Sequence, residues 1–397
     1  MAKPSVKILK FCAIVLLATM FIGVSSASAF FLNHSVKTMT RNLYLGADIF
    51  KVLEAAQNPD PDLKGLDVPV AVAELFQTVQ YTNFPERAES LANEIWFHRP
   101  HLIGLQEVSL WYIQSPGDMA GGGITPADTV VYDFLQILMD ALAARGLNYQ
   151  VAVATTGNAD IELPMLTGFT DQGVPTFDDL RLLDRDVILV RGDVDYWNTS
   201  TASYNTNIEE TVGGIPLEFT RGWAAADVDV RGSVYRFVNT HLEVRSAPGS
   251  GFRAVQAAQM QELMMILSEE TRPVILVGDF NSSPTDVPGV YEDPEYGDIP
   301  YVPPYQIASA YGYLDAWNLI FCSRDGYTSG FDEYVSDPTA ELTSRIDLVF
   351  IKPQDRPIWW VTGTVTGDQW FNMTPGGLWP SDHGGVVINT VFGRRGR

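Results

Sequence analysis

Cysteine is nearly absent: the 397 residues hold only Cys12 and Cys322. Cys12 falls in an amino-terminal segment that reads as removable, so the remaining chain has no partner for an intramolecular disulfide. Stability must come from the core, and a chain of this length with 46% hydrophobic residues can bury a large one. Basic residues are also scarce. Lys and Arg number 26 against 48 Asp and Glu, a net charge of −22. Such a surface repels polyanions at long range. It argues against a non-specific nucleic-acid binder built on Lys/Arg contacts to phosphate. It does not argue against a nuclease whose metal supplies local positive charge. Apolar runs long enough to span a bilayer are absent beyond the amino terminus. There is no internal repeat, heptad run or low-complexity linker.

The amino terminus is of a different kind. Lys3, Lys7 and Lys10 form a basic region, Ile8 to Val24 an apolar stretch, and Ala27-Ser28-Ala29 an A-x-A site. The apolar stretch approaches the length of a membrane anchor. The small-residue site favours cleavage, so residues 1–29 read as a signal peptide removed near Ala29. Residues 30–397 then read as one secreted, monomeric domain. Its removal takes away three lysines and no acid, so 23 basic residues face 48 acidic ones and the charge moves from −22 to −25. No lipobox cysteine stands near the site.

Along the chain the pattern is α/β. Strands are expected at Val36–Leu43, within "HLIGLQEV", at Tyr149–Ala154, Val187–Val190, Ala224–Val230, Val234–Thr240, Val274–Gly278, Ile346–Ile351 and Gly385–Val391. Helical spacing appears in Pro85–Phe97, with Asn83 as cap, and in Val131–Ala144 and Arg253–Leu267. Residues 46–67 are rich in Pro and Asp and read as an inserted loop; 284–304 and 353–358 read as loops. Many strands with few helices between them suggest two packed sheets with helices outside.

Several strands carry polar residues at their ends. Asn42 closes "TRNLYLG", Glu107 lies in "LQEV", and Asn239 and His241 lie in "NTHLEV". Asp279 and Asn281 lie in "GDFNSSP", Arg345 and Asp347 in "SRIDLVF", Asp382 and His383 in "SDHGGV". Each alone has a plainer reading: Asp279, Asn281 and Pro284 suit a turn, and a lone histidine is commonly structural. Together they converge when the sheets pack, as the groups of a site do.

The residue types suit phosphodiester hydrolysis. Glu107 is a hard oxygen ligand for Mg²⁺, Mn²⁺ or Ca²⁺, and Asn42 can complete or brace that ligand shell. His383 can accept the proton of an attacking water if a carboxylate, here Asp347, fixes its tautomer. His241, protonated or as a neutral donor, can stabilise transition-state charge. Asp279 and Asn281 can orient water and phosphate. His34, His98 and His101 read as surface or capping residues. Arg185, Arg221 and Arg245 read equally as phosphate contacts or ion pairs.

These six motifs, in this order from Asn42 to His383, resemble the endonuclease/exonuclease/phosphatase superfamily. The resemblance implies a four-layer αββα sandwich and a divalent-metal phosphoesterase. It implies Asn42 and Glu107 at the metal, and His241, Asp279 and Asn281 at phosphate and nucleophile. It implies Asp347 with His383 as the base pair, and Asp382 at a second metal or in support. The inserts at 46–84 and 157–180 lie outside the common pattern, and family members differ mainly in such loops.

Substrate choice stays open between a nucleic acid, a phospholipid and a small phosphoester. "TGDQWFNMTPGGLWPSDH" runs into Asp382 and His383. Its Trp370, Phe371 and Trp379 are either core beneath the site or an aromatic lip touching lipid or a base. With Arg345 they are the candidate substrate contacts. The acidic surface disfavours DNA and anionic membranes and leaves a zwitterionic phosphocholine ester as one candidate. The sequence is compatible with a secreted nuclease, a sphingomyelinase-like hydrolase with peripheral membrane contact, and a non-catalytic binding module on the same fold.

Overall fold

Buried runs and alternating runs form two six-stranded mixed sheets that pack face to face in the computed structural model, which describes residues 35–155, 158–212, 214–245, 251–321 and 325–394. The amino-terminal segment through Ala29, together with His34 and Cys322, lies outside the described residues. Strands are numbered along the chain. The first sheet runs β19 (Ile358–Thr366), β20 (Gly385–Phe392), β1 (Ser35–Asn42), β2 (Leu102–Gln106), β8 (Val187–Arg191) and β5 (Tyr149–Ala154). The second runs β17 (Leu314–Asp315), β18 (Asp347–Lys352), β14 (Val274–Asp279), β13 (Ser233–His241), β12 (Gly222–Val230) and β9 (Asp195–Ser203). Each sheet has one parallel pair, β1 with β2 and β13 with β14, among antiparallel neighbours.

Strand period decides what faces what. Val36, Leu102, Ile188, Phe237, Ile275, Val277, Val349 and Ile351 interlock between the sheets. Counting by two along the same strands reaches Asn42, Gln106, His241, Asp279 and Asp347. The polar residues therefore stand on the inward face at one end of the sandwich. Gly104 lets the sheets approach there. A Cβ at this position would lie 2.5 Å from Asn239 Oδ1 and from Val277 Cγ2. Gln106 Nε2 reaches Asn239 Oδ1 across the gap at 2.6 Å.

Helices cover both outer faces. Met39, Ile103, Leu105 and Leu189 pack under α3 (Phe84–His98) and α4 (Phe134–Ala144), through Leu91, Ile95 and Leu138. Val238, Leu276 and Phe350 pack under α5 (Gly251–Ile266) and α6 (Pro304–Ala310), through Met260, Leu263 and Ile307. The four-layer αββα sandwich is thus present.

Several local expectations are corrected. The stretch 46–67 contains α1 (Phe50–Gln57), because Ile49, Val52, Leu53 and Ala56 keep helical spacing ahead of the Pro/Asp cluster. It is followed by α2 (Asp67–Tyr81), which buries Val68, Val72, Leu75, Phe76 and Val79. The helix expected from Val131 starts at Phe134. Thr129–Asp133 is β4, and Asp133 caps α4 through the Leu135 and Gln136 N–H groups. Asn83 precedes α3 in a left-handed conformation and makes no side-chain cap. Its amide donates instead to Glu86 Oε2 at 3.2 Å. The stretch 284–304 holds a hairpin, β15 (Gly289–Asp293) with β16 (Gly297–Tyr301).

The insert at 157–180, described from residue 158, is no loop either. It contributes to a third, antiparallel sheet in the order β10 (Ile208–Val212), β11 (Ile215–Phe219), β6 (Ala159–Phe169), β7 (Pro175–Asp184), β3 (Leu110–Gln114) and β4. Together with α1 and α2 it forms a wall beside the site end of the sandwich.

Candidate active site

The site is a cleft of about 320 Å³ where the inward polar strand ends meet. Glu107, Arg221, His241, Asp279, Asn281, Asp382 and His383 line it. Register does much of the placing. His241 lies opposite Asp279 across the parallel pair, and Asp279 lies opposite Asp347 across the antiparallel one. Glu107 and Asn281, just past β2 and β14, have φ of 55° and 48°. Such left-handed residues other than glycine are uncommon and concentrate at functional sites. Here the reversal turns both side chains toward the cleft. Gly278 serves the same end: a Cβ there would come within 2.0 Å of the Thr240 carbonyl oxygen.

His383 is tied at Nδ1 to Asp347 Oδ2 at 2.8 Å, with Asp279 Oδ2 3.8 Å away. Nε2 is thereby left to face a water or substrate. The backbone around the ring is fixed as well. Its N–H donates to Ser381 Oγ, whose hydroxyl donates to the Asn42 carbonyl, and Arg41 donates to the His383 carbonyl. Burial acts to lower the imidazole pKa, but Asp347, Asp382 and Asp279 overcome it and hold the ring well above its ordinary value.

His241 behaves oppositely. Burial, Arg221 and His383 push its pKa well below the ordinary value, so the ring is neutral. Arg221 approaches Nδ1 at 3.2 Å and can only donate. Because a charged donor outcompetes the neutral Asn281 amide, we assign the accepting role to Nδ1 and the hydrogen to Nε2. The Asn281 amide, 3.3 Å from Nε2, then serves as a neighbour, and its Nδ2 donates to the Leu242 carbonyl at 3.1 Å. Of the two roles open to His241, the neutral donor fits.

The carboxylates form a crowded set. Burial raises the pKa of Glu107, with Asp382 adding to it. Burial and Asp347 push Asp279 up to about 7. Asp382 is raised chiefly by burial. Glu107 Oε1 accepts from Asn42 Nδ2 at 2.8 Å and Oε2 from the Leu45 N–H at 2.8 Å. Each oxygen keeps a lone pair. Asn42 also donates to Asp279 at 3.2 Å and accepts from the Tyr44 N–H. Its amide nitrogen therefore braces both carboxylates, while Oδ1 keeps a second lone pair. Hard oxygen donors with uncompensated negative charge fit Mg²⁺, Mn²⁺ or Ca²⁺. Asp279, Asp347 and His383 also bring ligand atoms within 4.8 Å of one another. The 2.8 Å contact occupies the His383 Nδ1 of that trio, whereas the oxygens of Glu107 and Asp382 face the cleft.

The four candidate substrate contacts are not in the cleft. Trp379 is 2% exposed and stacks on Phe331 as core. Arg345 is buried in an ion pair with Asp315 at 2.7 Å. Trp370 and Phe371 are 75% and 65% exposed. Phe371 lines a different groove, beside Trp96 and Phe97, and neither residue borders the cleft. Sequence adjacency to Asp382 misleads because Pro375–Pro380 carries the chain away over α3. Arg185 pairs with Asp133 and Arg245 with Asp286; of the three arginines only Arg221 reaches the cleft. His101 is buried, not surface, and its Nδ1 accepts from the Lys37 N–H at 2.9 Å. His98 is half-buried at the end of α3, and its carbonyl accepts from Lys37 Nζ.

Two groups escaped sequence reasoning. Asp184, at the end of β7, lines the cleft, and burial pushes it up to about 7. Nothing in "LRLLDRD" sets it apart. Arg87 is fully buried beneath the site loops. It did leave a signal, a charge on the apolar stripe of α3.

Comparison with known proteins agrees with this geometry. The sequence matches the endonuclease/exonuclease/phosphatase family over residues 71–383. No curated protein matches it. An endonuclease/exonuclease/phosphatase family protein from Bacteroides thetaiotaomicron is 14% identical, with a TM-score of 0.50, covering 91% of this chain and 98% of its own. An endonuclease/exonuclease/phosphatase from Beutenbergia cavernae is 19% identical, with a TM-score of 0.50, covering 91% of this chain and 72% of its own. At these identities the solved structures speak for the fold alone. The family match spans well over half of the chain, and the chain belongs to the endonuclease/exonuclease/phosphatase family.

Proposed function

We propose that the protein is a divalent-metal phosphoesterase that hydrolyses a phosphodiester, with His383 and Asp347 handling the proton. One observation carries this reading: a His–Asp contact of 2.8 Å belongs to a cleft with surplus carboxylates. His383 Nε2 takes the proton of the attacking water, while Asp347 fixes the ring and stabilises the imidazolium. Asp279, whose Oδ1 accepts the Asn281 N–H at 2.8 Å, orients that water together with Asn281. Neutral His241 donates from Nε2 to a phosphate oxygen whose charge grows, with Arg221 behind it. Glu107 and Asp382 hold the cation, braced by Asn42. When bound, Mg²⁺ or a similar ion neutralises the nonbridging oxygens, stabilises the leaving oxygen and offsets the carboxylate charge that otherwise keeps His383 protonated.

The test is release of p-nitrophenol from bis-p-nitrophenyl phosphate with Mg²⁺ or Mn²⁺. Release should vanish with EDTA and return with metal. His383→Ala and Asp347→Asn should each lower kcat/KM by about 10²- to 10⁴-fold. Folded protein that turns over nothing with any divalent metal would instead be a binding module. A panel of plasmid DNA, RNA, sphingomyelin and inositol phosphates assigns the substrate class. Export is part of the proposal, supported by the basic, apolar and A-x-A pattern of residues 1–29. Amino-terminal sequencing of the secreted protein should then begin at Phe30.

A further inference from the structure

We propose that an apolar pouch opening beside the catalytic cleft is a substrate subsite for a short apolar substituent on the phosphoester. This rests on the phosphoesterase reading of the cleft and narrows its substrate class. The pouch is a cavity of about 50 Å³ walled by Val52, Leu75, Trp111, Leu163 and Leu217 among others, all apolar. Ile49, Leu182 and Phe219 line both pouch and cleft, so the two spaces adjoin across these three side chains.

Three features argue for an occupant. Protein cores leave few voids larger than a water. A water needs polar partners, and no charged or amide side chain lines this wall. The wall belongs to α1, α2 and the third sheet, the same added elements that border the cleft on this side. An acidic cleft suited to a metal-bound phosphate thus adjoins a purely apolar recess. Its substrate carries a phosphate at one end and an apolar group at the other. Size limits that group. The recess has about a third of the volume of an engineered cavity of about 150 Å³ that takes benzene. It admits a chain of a few carbons and not a whole lipid tail.

The experiment is inhibition of bis-p-nitrophenyl phosphate turnover by n-alkyl phosphonates from methyl to octyl, kept below their aggregation concentrations. The inhibition constant should fall by about fourfold per methylene over the first few carbons and then level off. Leu217→Trp, which fills the pouch, should flatten the series. A flat series in the unaltered protein overturns the pouch and leaves the phosphoesterase reading standing, since turnover is measured in the same assay. A gain that continues undiminished to octyl overturns it as well, because a recess this small must fill. Absence of metal-dependent turnover overturns both readings. The unaltered protein decides the matter even if Leu217→Trp does not fold.

Discussion

Arg87 stands where the stripe of α3 calls for an apolar residue. Its guanidinium donates to the carbonyls of Thr82, Leu43, Tyr44 and Pro380, all within 3.0 Å. Burial brings its pKa down to about 10, so it stays charged at neutral pH. It ties the loop that supplies the Leu45 N–H to Glu107 and the loop that ends in Asp382. Arg87→Met leaves these carbonyls without their donor. We expect a loss of about 3 kcal/mol or more, because buried groups left unpaired are costly; the urea unfolding midpoint measures it. His101 gives a test in pH. Burial pushes its folded pKa down to about 3, below the ordinary 6.5. Between those values the unfolded chain binds a proton that the folded chain does not, so stability falls as pH drops through the window. The slope of Tm between pH 7 and 5 should be shallower in His101→Gln than in the unaltered protein.

At the scale of elements, the two parallel pairs do the positioning. Each places its polar strand ends side by side, and the inward faces of the two sheets bring both ends to one cleft. That convergence depends on close packing of the sheets, which Gly104 permits where β2 faces Asn239 and Val277. Gly104→Ala puts a Cβ against Asn239 and Val277. Overpacking of this kind destabilises by about 1–3 kcal/mol, and a lower urea midpoint would record it. The elements also show where sequence patterns were readable. The buried strands ending at Gln106, His241 and Asp279 were legible because an apolar run stops at a polar residue. The third sheet was not. Its β6 and β7 are mostly half-buried and their side chains alternate weakly, so only pairing reveals them as strands.

For the whole molecule, charge sets what can approach. A net charge of −22, which becomes more negative if the amino-terminal lysines are removed, opposes long-range attraction of any polyanion. Salt screens that repulsion. The rate of cleaving plasmid DNA relative to bis-p-nitrophenyl phosphate should therefore rise between about 10 and about 150 mM NaCl, opposite to the behaviour of a basic nucleic-acid binder. The added wall of α1, α2 and the third sheet gives the molecule its individual character. The sandwich supplies most of the polar residues of the cleft, and the wall supplies the apolar residues beside them.

Much of the polar set that the fold gathers at the cleft can be read from the chain alone. Asn42, Glu107, His241, Asp279, Asn281, Asp347, Asp382 and His383 were all legible, because each sits at a break between a buried run and a polar end, a local pattern. Only packing sets Arg221 against Nδ1 of His241, braces Glu107 and Asp279 with the Asn42 amide, and buries Trp379 and Arg345 away from the cleft. It also decided that Trp370 and Phe371 face elsewhere and that Asp184 and Arg87 belong to the site's surroundings. The reason is physical. Residue type and period are properties of the chain, whereas protonation, hydrogen-bond direction and distance from the cleft depend on neighbours that only packing supplies.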